Sequence, residues 1–158
     1  MPRKVSFRVD GPPRPLQRHR ERNPARVKAG QNRNYDPSEV DKEQVAWACR
    51  VAMRDAGVEM LTGPLRLTVR CVFEHPKSHY GKGKFKARMK PTAPKHYHTY
   101  APDWSNCAKL VEDALNGLLY RDDSRIAAIG DESEKVYGPK ACTLVTVEEM
   151  EDKPKEID

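Results

Sequence analysis

The chain has 158 residues, a length typical of one domain that can bury a modest core of its own. Charged residues make up 33% and hydrophobic residues 37%, and the formal net charge is +6 with a pI of about 9.2. No apolar run approaches the roughly 18 residues of a membrane span, and the first residues lack the apolar stretch of a signal peptide, so we expect a cytoplasmic protein. The positive charge favours a polyanionic partner, most simply a nucleic acid.

The four cysteines are far apart in the sequence, with no CxxC pair and no histidine at metal-ligand spacing. This pattern argues against a zinc site and indicates reduced thiols in the core. The residues concerned are Cys49, Cys71, Cys107 and Cys142.

The chain opens with VSFRVDG, whose alternation predicts a short strand, and Gly11-Pro12-Pro13 then predicts a rigid turn. Residues 14–33 contain seven Lys or Arg residues against one acid, Glu21. We expect this stretch to be extended and solvated until it meets an anion. It is either an arm that contacts DNA, for example through Arg18 and Arg20, or a plain disordered arm.

Asp36-Pro37-Ser38 supplies helix-start signals, and apolar residues at helical spacing then continue to Gly57. Gly63-Pro64 interrupts the chain. From Leu65 to Phe73 apolar residues alternate with more polar ones, which predicts a second strand with one buried face.

Residues 76–98 form a basic loop with seven Lys or Arg residues, no acid and three prolines. Such a segment can lay cations along a phosphate backbone while its aromatic rings contact exposed bases, although a solvated insertion is the alternative. The candidate DNA contacts are Lys77, Lys82, Lys84, Lys86, Arg88 and Lys90. A metal cluster of the nearby histidines is conceivable, but their spacing and expected mobility favour DNA contacts or simple solvation; these are His75, His79, His96 and His98.

Pro102-Asp103 opens a predicted second helix with one apolar face, and Asn116-Gly117 lies near its end. Residues 126–137 suggest one strand and residues 142–147 the last one. The resulting order, β-α-β-α-β-β, predicts a single α+β domain in which a mixed sheet packs against two main helices. We assign the domain to residues 1–147 and expect the acidic tail, residues 148–158, to be frayed.

A polar stripe runs along the second helix, because Ser105, Lys109, Glu112 and Asn116 follow steps of four, three and four residues. Hydrolysis of a phosphodiester commonly uses Mg²⁺ held by a few carboxylates close to a lysine. Asp103 begins this helix. The turn with Asp122 and Asp123 follows it, so these two reach the stripe only if the next strand folds back along the helix.

Each of these residues also has an ordinary explanation. Asp103 could cap the helix N-terminus with its carboxylate. Lys109 could form a surface ion pair with Glu112 or Asp113. Asp122-Asp123 could be turn chemistry. The pattern alone leaves these alternatives open.

The run PDWSNCAKLVEDALNGLLYRDDSRI, residues 102–126, resembles the signature of the RusA family of Holliday-junction resolvases, close to P-D-x-D-N-x-x-K, then D-A-L-N-G, then D-D-x-x-I/V. Weaker similarities are the GPPRP opening, the Gly63-Pro64-Leu65 strand entry and Lys135-Val136-Tyr137. The resemblance implies a homodimeric, Mg²⁺-dependent endonuclease, with Mn²⁺ as a substitute, that cuts four-way junctions by paired nicks in DNA recombination and repair. It also implies a bacterial or phage-infected host cell, since such proteins are often encoded by phages.

By motif, the resemblance assigns catalytic roles to Asp103, Lys109 and Asp123, with Asp122 as a further metal ligand and Asn106 and Asp113 in supporting positions. Where the family has its second metal-binding aspartate, this chain has Ser105, a much poorer Mg²⁺ ligand. Glu112, two turns along the same face, is a candidate to restore the lost charge.

Two other functions remain open. A protein of the same fold that has lost strong catalysis through Ser105 would bind branched DNA only. A small basic protein that binds RNA or other partners would share only the helix pattern.

Overall fold

Seven strands and two α-helices organise residues 2–157, the part of the chain that the computed structural model describes; Met1 and Asp158, which belong to the predicted domain and tail, lie outside it. The α+β class, the mixed sheet and the two main helices are as predicted. In chain order the elements are β1 (Lys4–Asp10), β2 (Arg20–Glu21), β3 (Asn34–Tyr35), α1 (Glu39–Ala56), β4 (Leu65–Phe73), α2 (Trp104–Leu115), β5 (Ile126–Ile129), β6 (Glu134–Tyr137) and β7 (Cys142–Glu149).

Strand β4 is the centre of the main sheet. It pairs antiparallel with β7, which in turn pairs with β1, and its other edge pairs parallel with β5 and β6. Its residues alternate in burial from Leu65 to Phe73, as the sequence pattern predicts. Both helices cover the core formed by this buried face, α1 against β1 and α2, and α2 also against β4.

Residues 126–137, which the pattern suggested as one strand, form two strands separated by a turn. Gly130 permits this turn, because a Cβ there would lie 1.9 Å from the Thr68 hydroxyl oxygen. The Gly130 N–H donates to the Leu67 carbonyl (2.8 Å), and the Ser133 hydroxyl accepts from the Val69 N–H (3.1 Å). The turn therefore provides hydrogen-bond partners for the β4 backbone groups that lie between its pairing with β5 and its pairing with β6.

Helix α1 begins and ends where its sequence signals indicate. Ser38 is the N-cap residue, but its buried hydroxyl accepts from the Gln17 N–H (2.8 Å) and so ties the basic arm to the start of the helix. The Asp36 carboxylate accepts from the Ser38 N–H (2.9 Å). Gly57 adopts φ +64°, a left-handed conformation that glycine tolerates, and ends the helix.

Helix α2 buries the predicted apolar face, and the Trp104 indole N–H donates to the Val69 carbonyl on β4 (2.8 Å). All four cysteines are buried free thiols, as predicted. Within residues 2–157, no helix is long and apolar enough to cross a membrane.

The two loose segments are more ordered than expected. In the basic arm, β2 and β3 pair antiparallel, and the Arg22 guanidinium lies 4.4 Å above the centre of the Tyr35 ring. Strand β7 extends two residues into the predicted tail, where Glu149 accepts a hydrogen bond from the Arg3 guanidinium (2.6 Å). Beyond β7 the described residues have no regular secondary structure.

The expectation that the histidines are mobile or solvated is wrong for three of the four. His75 stacks on Tyr137 with ring centres 4.1 Å apart, and His98 stacks on Phe73 at 3.8 Å. His79 is buried, and its Nδ1 lies 3.0 Å from that of His75. These imidazole rings pack against residues at the ends of β4 and β6. The composition of the loop alone could not predict these tertiary contacts. His96 is exposed.

Candidate active site and nucleic-acid interface

The start of α2 presents a free carboxylate beside a cleft. Asp103 is the exposed N-cap residue, and its side chain makes no capping hydrogen bond, so the simple N-cap explanation is wrong. It lines the cleft together with Asn106, Pro12 and Arg14. A carboxylate without a capping hydrogen bond, such as that of Asp103, can bind a cation. A guanidinium beside the same cleft, such as that of Arg14, can bind a phosphate oxygen.

Two contacts fix the backbone around Asp103. The Lys135 ammonium donates to the carbonyls of Tyr100 (2.6 Å) and Pro102 (2.9 Å), and the Leu16 N–H donates to the Asn106 carbonyl (3.0 Å). Neither Arg14 nor Lys135 was predicted as a site residue. The Lys135-Val136-Tyr137 similarity was the one signal that pointed to Lys135.

Further along α2, the charges of Asp123 and Lys109 act on the Glu112 carboxyl. Burial raises the pKa of the Glu112 carboxyl, and the carboxylates of Asp123 and Asp113 raise it further, while Lys109 acts in the opposite sense. The turn that contains Asp123 contacts α2 directly. The chain after α2 therefore folds back along the helix, which the spacing alone left open.

The Tyr120 side chain lies under this group. It is buried, and its hydroxyl donates to the Glu112 backbone carbonyl (2.8 Å). Burial raises the pKa of the Tyr120 phenol, and the carboxylates of Glu112 and Asp123 add to the effect. A buried neutral phenol thus anchors the last turn of α2 below a cluster of negative charge.

The remaining acidic candidates have separate partners. The Asp122 carboxylate accepts from the Ser124 N–H (3.1 Å), and hydrogen bonding to Ser124 lowers its pKa, so turn chemistry does explain Asp122. The Asp113 carboxylate lies 3.8 Å from the Lys42 ammonium on α1. Ser105 is exposed on the polar stripe, as predicted.

The side chains fit a Mg²⁺ site of the open kind. Among residues 2–157, no three His, Cys, Asp or Glu side chains are grouped to hold a metal ion. Mg²⁺ is commonly bound by one or two carboxylates, with waters and phosphate oxygens as its other ligands. The hard oxygen donors of Glu112 and Asp123 suit such a site, since a cation would relieve the repulsion between their charges. Asp103, nine residues before Glu112, offers a separate oxygen donor at the start of α2.

The predicted DNA contacts are all exposed, and several converge. Lys84 and Arg88 lie 5.1 and 5.5 Å from the centre of the Phe85 ring. One hollow of the basic loop is lined by Lys77, Lys82, Lys86 and Lys90. Arg18 and Arg20 project from the basic arm, which is tied to α1 at Ser38. Both basic segments thus offer cations to a phosphate backbone.

A mixed α+β domain that combines a carboxylate- and lysine-bearing helix with two basic segments has the features of a nucleic-acid-processing enzyme. The family model described as Endodeoxyribonuclease RusA matches residues 10–148, and the chain therefore belongs to the RusA family. A relative in Bacillus subtilis (strain 168), described as uncharacterized protein YqaN, is 31% identical over 128 residues, which cover 78% of this chain and 84% of that protein.

Family membership confirms the predicted resemblance and excludes an accidental match to the helix pattern. It implies a Holliday-junction resolvase endonuclease that acts on DNA, binds branched junctions and belongs to a generally divalent-metal-dependent family.

Proposed function

We propose that this protein is a Mg²⁺-dependent endodeoxyribonuclease that resolves Holliday junctions and related branched DNA by paired nicks in recombination and repair. The observation that carries the proposal is the contact of the Asp123 turn with α2, where burial and the charge of Asp123 raise the pKa of Glu112, three residues from Lys109. The same helix begins with Asp103, whose carboxylate makes no capping hydrogen bond. Like charges held together in this way are typical of sites that bind a cation.

Asp103 at the start of α2, and Glu112 with Asp123 near its end, are the residues that would hold Mg²⁺, in two places rather than around one ion, with Mn²⁺ as a substitute. Asp122, whose carboxylate already accepts from the Ser124 N–H, is more peripheral. When bound, the ion would supply a nucleophilic hydroxide at neutral pH and neutralise charge on the phosphate. Lys109 contributes a fixed positive charge between the two groups of carboxylates, where it stabilises the charge that builds on the scissile phosphate. Arg14 and Asn106 position the DNA strand at the cleft.

A second candidate function is favoured by Ser105. Glu112 lies nine residues beyond Asp103, roughly 13 Å along the helix axis, so it does not replace a ligand next to Asp103. A protein with this site could grip branched DNA through its basic segments and cut it poorly.

We also propose that the protein is a homodimer and that the exposed face of α1 is its two-fold interface. Val40 and Trp47, seven residues apart on that face, are 69% and 67% exposed. Glu43 precedes Trp47 and Arg50 follows it, all on α1. If two copies of α1 cross antiparallel at Trp47, Glu43 of one protomer approaches Arg50 of the partner subunit, so the face is complementary to itself.

Cleavage of a labelled four-way junction and of a matched linear duplex, in Mg²⁺ and then in EDTA, tests the proposed activity. We expect symmetric, Mg²⁺-dependent nicks in the junction alone. Asp123→Asn should reduce the rate by about 100-fold or more, as loss of a group that acts in the transition state does. Asp131→Asn, an exposed aspartate in the turn after β5, is the matched control and should cut normally.

Ser105→Asp separates the two candidate functions. If the chain binds junctions tightly without nicking them, and Ser105→Asp restores nicking, the binding protein is the correct description. If the wild type already cuts and Ser105→Asp changes little, the nuclease is correct and Glu112 and Asp123 suffice.

A further inference from the structure

Beside the Asp103 cleft lies a second hollow with aromatic walls. It encloses about 540 Å³, within the range of roughly 300–1,000 Å³ that is typical of sites for small organic groups. Its rings are those of Phe73, His79, His98, Tyr100 and Tyr137. The activity proposed above uses none of these side chains.

The walls combine a rigid floor with one exposed ring. His98 stacks on Phe73 with an interplanar angle of 13°, and Tyr137 lies 5.2 Å from His98, so these rings hold one another in place. The Tyr100 ring stands edge-on to His98 at 6.1 Å and is 61% exposed. Burial lowers the pKa of His98, and Lys135 lowers it further, so the imidazole is neutral at pH 7. A flat, uncharged group would meet uncharged stacking surfaces on these rings, while the lining also includes Glu74.

The hollow adjoins the place where the DNA strand would be cut. Pro12 and Phe73 line both the aromatic hollow and the Asp103 cleft. Tyr100 is three residues before Asp103, and Lys135 holds the carbonyls of Tyr100 and Pro102. Because the cleft and the hollow share a wall, a strand with a phosphate in the cleft would carry its neighbouring nucleotide toward the hollow.

We propose that the aromatic hollow binds one unstacked nucleobase of the branched DNA, adjacent to the scissile phosphate. This inference rests on the proposed function, since it takes the Asp103 cleft as the phosphate site. Every base has a planar face that stacks on aromatic rings. At a branch point a base loses little by leaving the helix, because its stacking and pairing are already weakened. The hollow therefore favours branched over linear DNA, and its rim residues Glu74 and Ser78 supply polar atoms that can discriminate between bases.

Binding of junctions in which one nucleotide at a time is abasic tests this proposal. Measurements in EDTA separate binding from cleavage. For the wild type we expect one position near the branch where loss of the base weakens binding by about 10-fold, the usual scale of base–aromatic stacking. For Tyr100→Ala the intact junction should bind about 10-fold more weakly, and the abasic change at that position should have no further effect.

Two variants control for other causes. Tyr100→Phe keeps the ring and should behave as the wild type. Tyr97→Ala removes a ring that is 58% exposed and three residues away, and its effect should simply add to that of the abasic site. Additive losses for Tyr100→Ala at every position, or no responsive position in the wild type, would overturn the proposal. The Asp123→Asn variant should show the same coupling between Tyr100 and the base, although it should not cut the junction. The binding test can therefore succeed or fail independently of the proposed cleavage activity.

Discussion

The surroundings of Glu112 disfavour the ionised form of its carboxyl group. Burial and the neighbouring carboxylate of Asp123 both favour its protonated form, and only Lys109 offsets them. Its pKa is therefore higher in the folded chain than in the unfolded one. Ionisation of Glu112 costs stability once the pH rises through the folded pKa, and the cost vanishes below the unfolded value of about 4.3.

Glu112→Gln should consequently stabilise the metal-free protein, while it should weaken the proposed metal site. In EDTA at pH 7 we expect a gain of about 0.5 kcal/mol, or about 1–2 °C in Tm. The gain should shrink as the pH falls toward 4. The rise in Tm that Mg²⁺ gives the wild type should be smaller in the variant.

Thermal unfolding with and without Mg²⁺ across this pH range measures both effects. Glu132→Gln, an exposed residue of the turn after β5, is the control. A lower Tm for Glu112→Gln in EDTA would contradict the predicted cost of the Glu112 charge. An undiminished Mg²⁺ response would show that Glu112 is not a metal ligand.

At the level of elements, Glu149 joins three segments at one end of the sheet. It accepts from the Arg3 guanidinium at the entry to β1 and from the Thr62 N–H ahead of β4, while its own residue ends β7. The side-chain hydrogen bond from Arg3, with that from Thr62, lowers the pKa of Glu149 to about 2. Its contribution to stability is present above the unfolded pKa and is lost as the pH falls toward 2.

Glu149→Gln should lower Tm at pH 7 by about 3–5 °C, since it removes the charge from several hydrogen bonds at once. The difference from the wild type should narrow steadily below pH 4 and vanish near pH 2. Scanning calorimetry over this range checks the sign. A difference that is constant with pH would mean that the carboxylate charge has no role in this contact.

The sequence predicted the elements whose signals are local. Helix α1 ends at Gly57, and β4 alternates from Leu65 to Phe73, because each pattern reports burial on one element. The polar stripe of α2 was visible for the same reason. The split between β5 and β6 was not, since it depends on the approach of Gly130 to Thr68, 62 positions earlier in the chain.

The site was predictable to a similar extent. The residue types and spacing of Asp103, Lys109 and Asp123 indicated metal-assisted chemistry, and their arrangement matched a family pattern. Contact of the Asp123 turn with α2 is a tertiary event that no periodicity encodes. The error about the histidines has the same origin, because His75 and His98 find their stacking partners on separate strands.

For the whole molecule, the proposed two-fold dimer would account both for the exposed Trp47 and for the proposed paired nicks. Two copies related by α1 would present two equivalent sites to a junction with near two-fold symmetry. If the interface is lost, each protomer should still be able to cut a strand, but the two strands should no longer be cut together.

Trp47→Asp should convert the protein to a monomer, since it places like charges at the centre of the crossing. Light scattering at micromolar concentration measures the mass. Ile129→Asp is the matched control, because Ile129 is 58% exposed on β5, away from α1, and should leave the dimer intact. A monomeric wild type would contradict the proposed dimer. A Trp47→Asp variant that remains dimeric would show that the dimer interface is not on this face of α1.

Because its cysteines are buried, the folded chain should react very slowly with thiol reagents. All four thiols are at most 4% exposed, so reagents have little access to them in the folded chain. Burial also raises the pKa of the Cys49 thiol to about 12, whereas the hydrogen bond with Cys71 lowers the pKa of Cys107. A fluorescent maleimide would consequently report only on opening of the core, without any engineered probe. A cysteine introduced at an exposed position such as Ser78 would be labelled selectively, and the distance between two such labels in a complex could follow the shape of a junction while it is being processed.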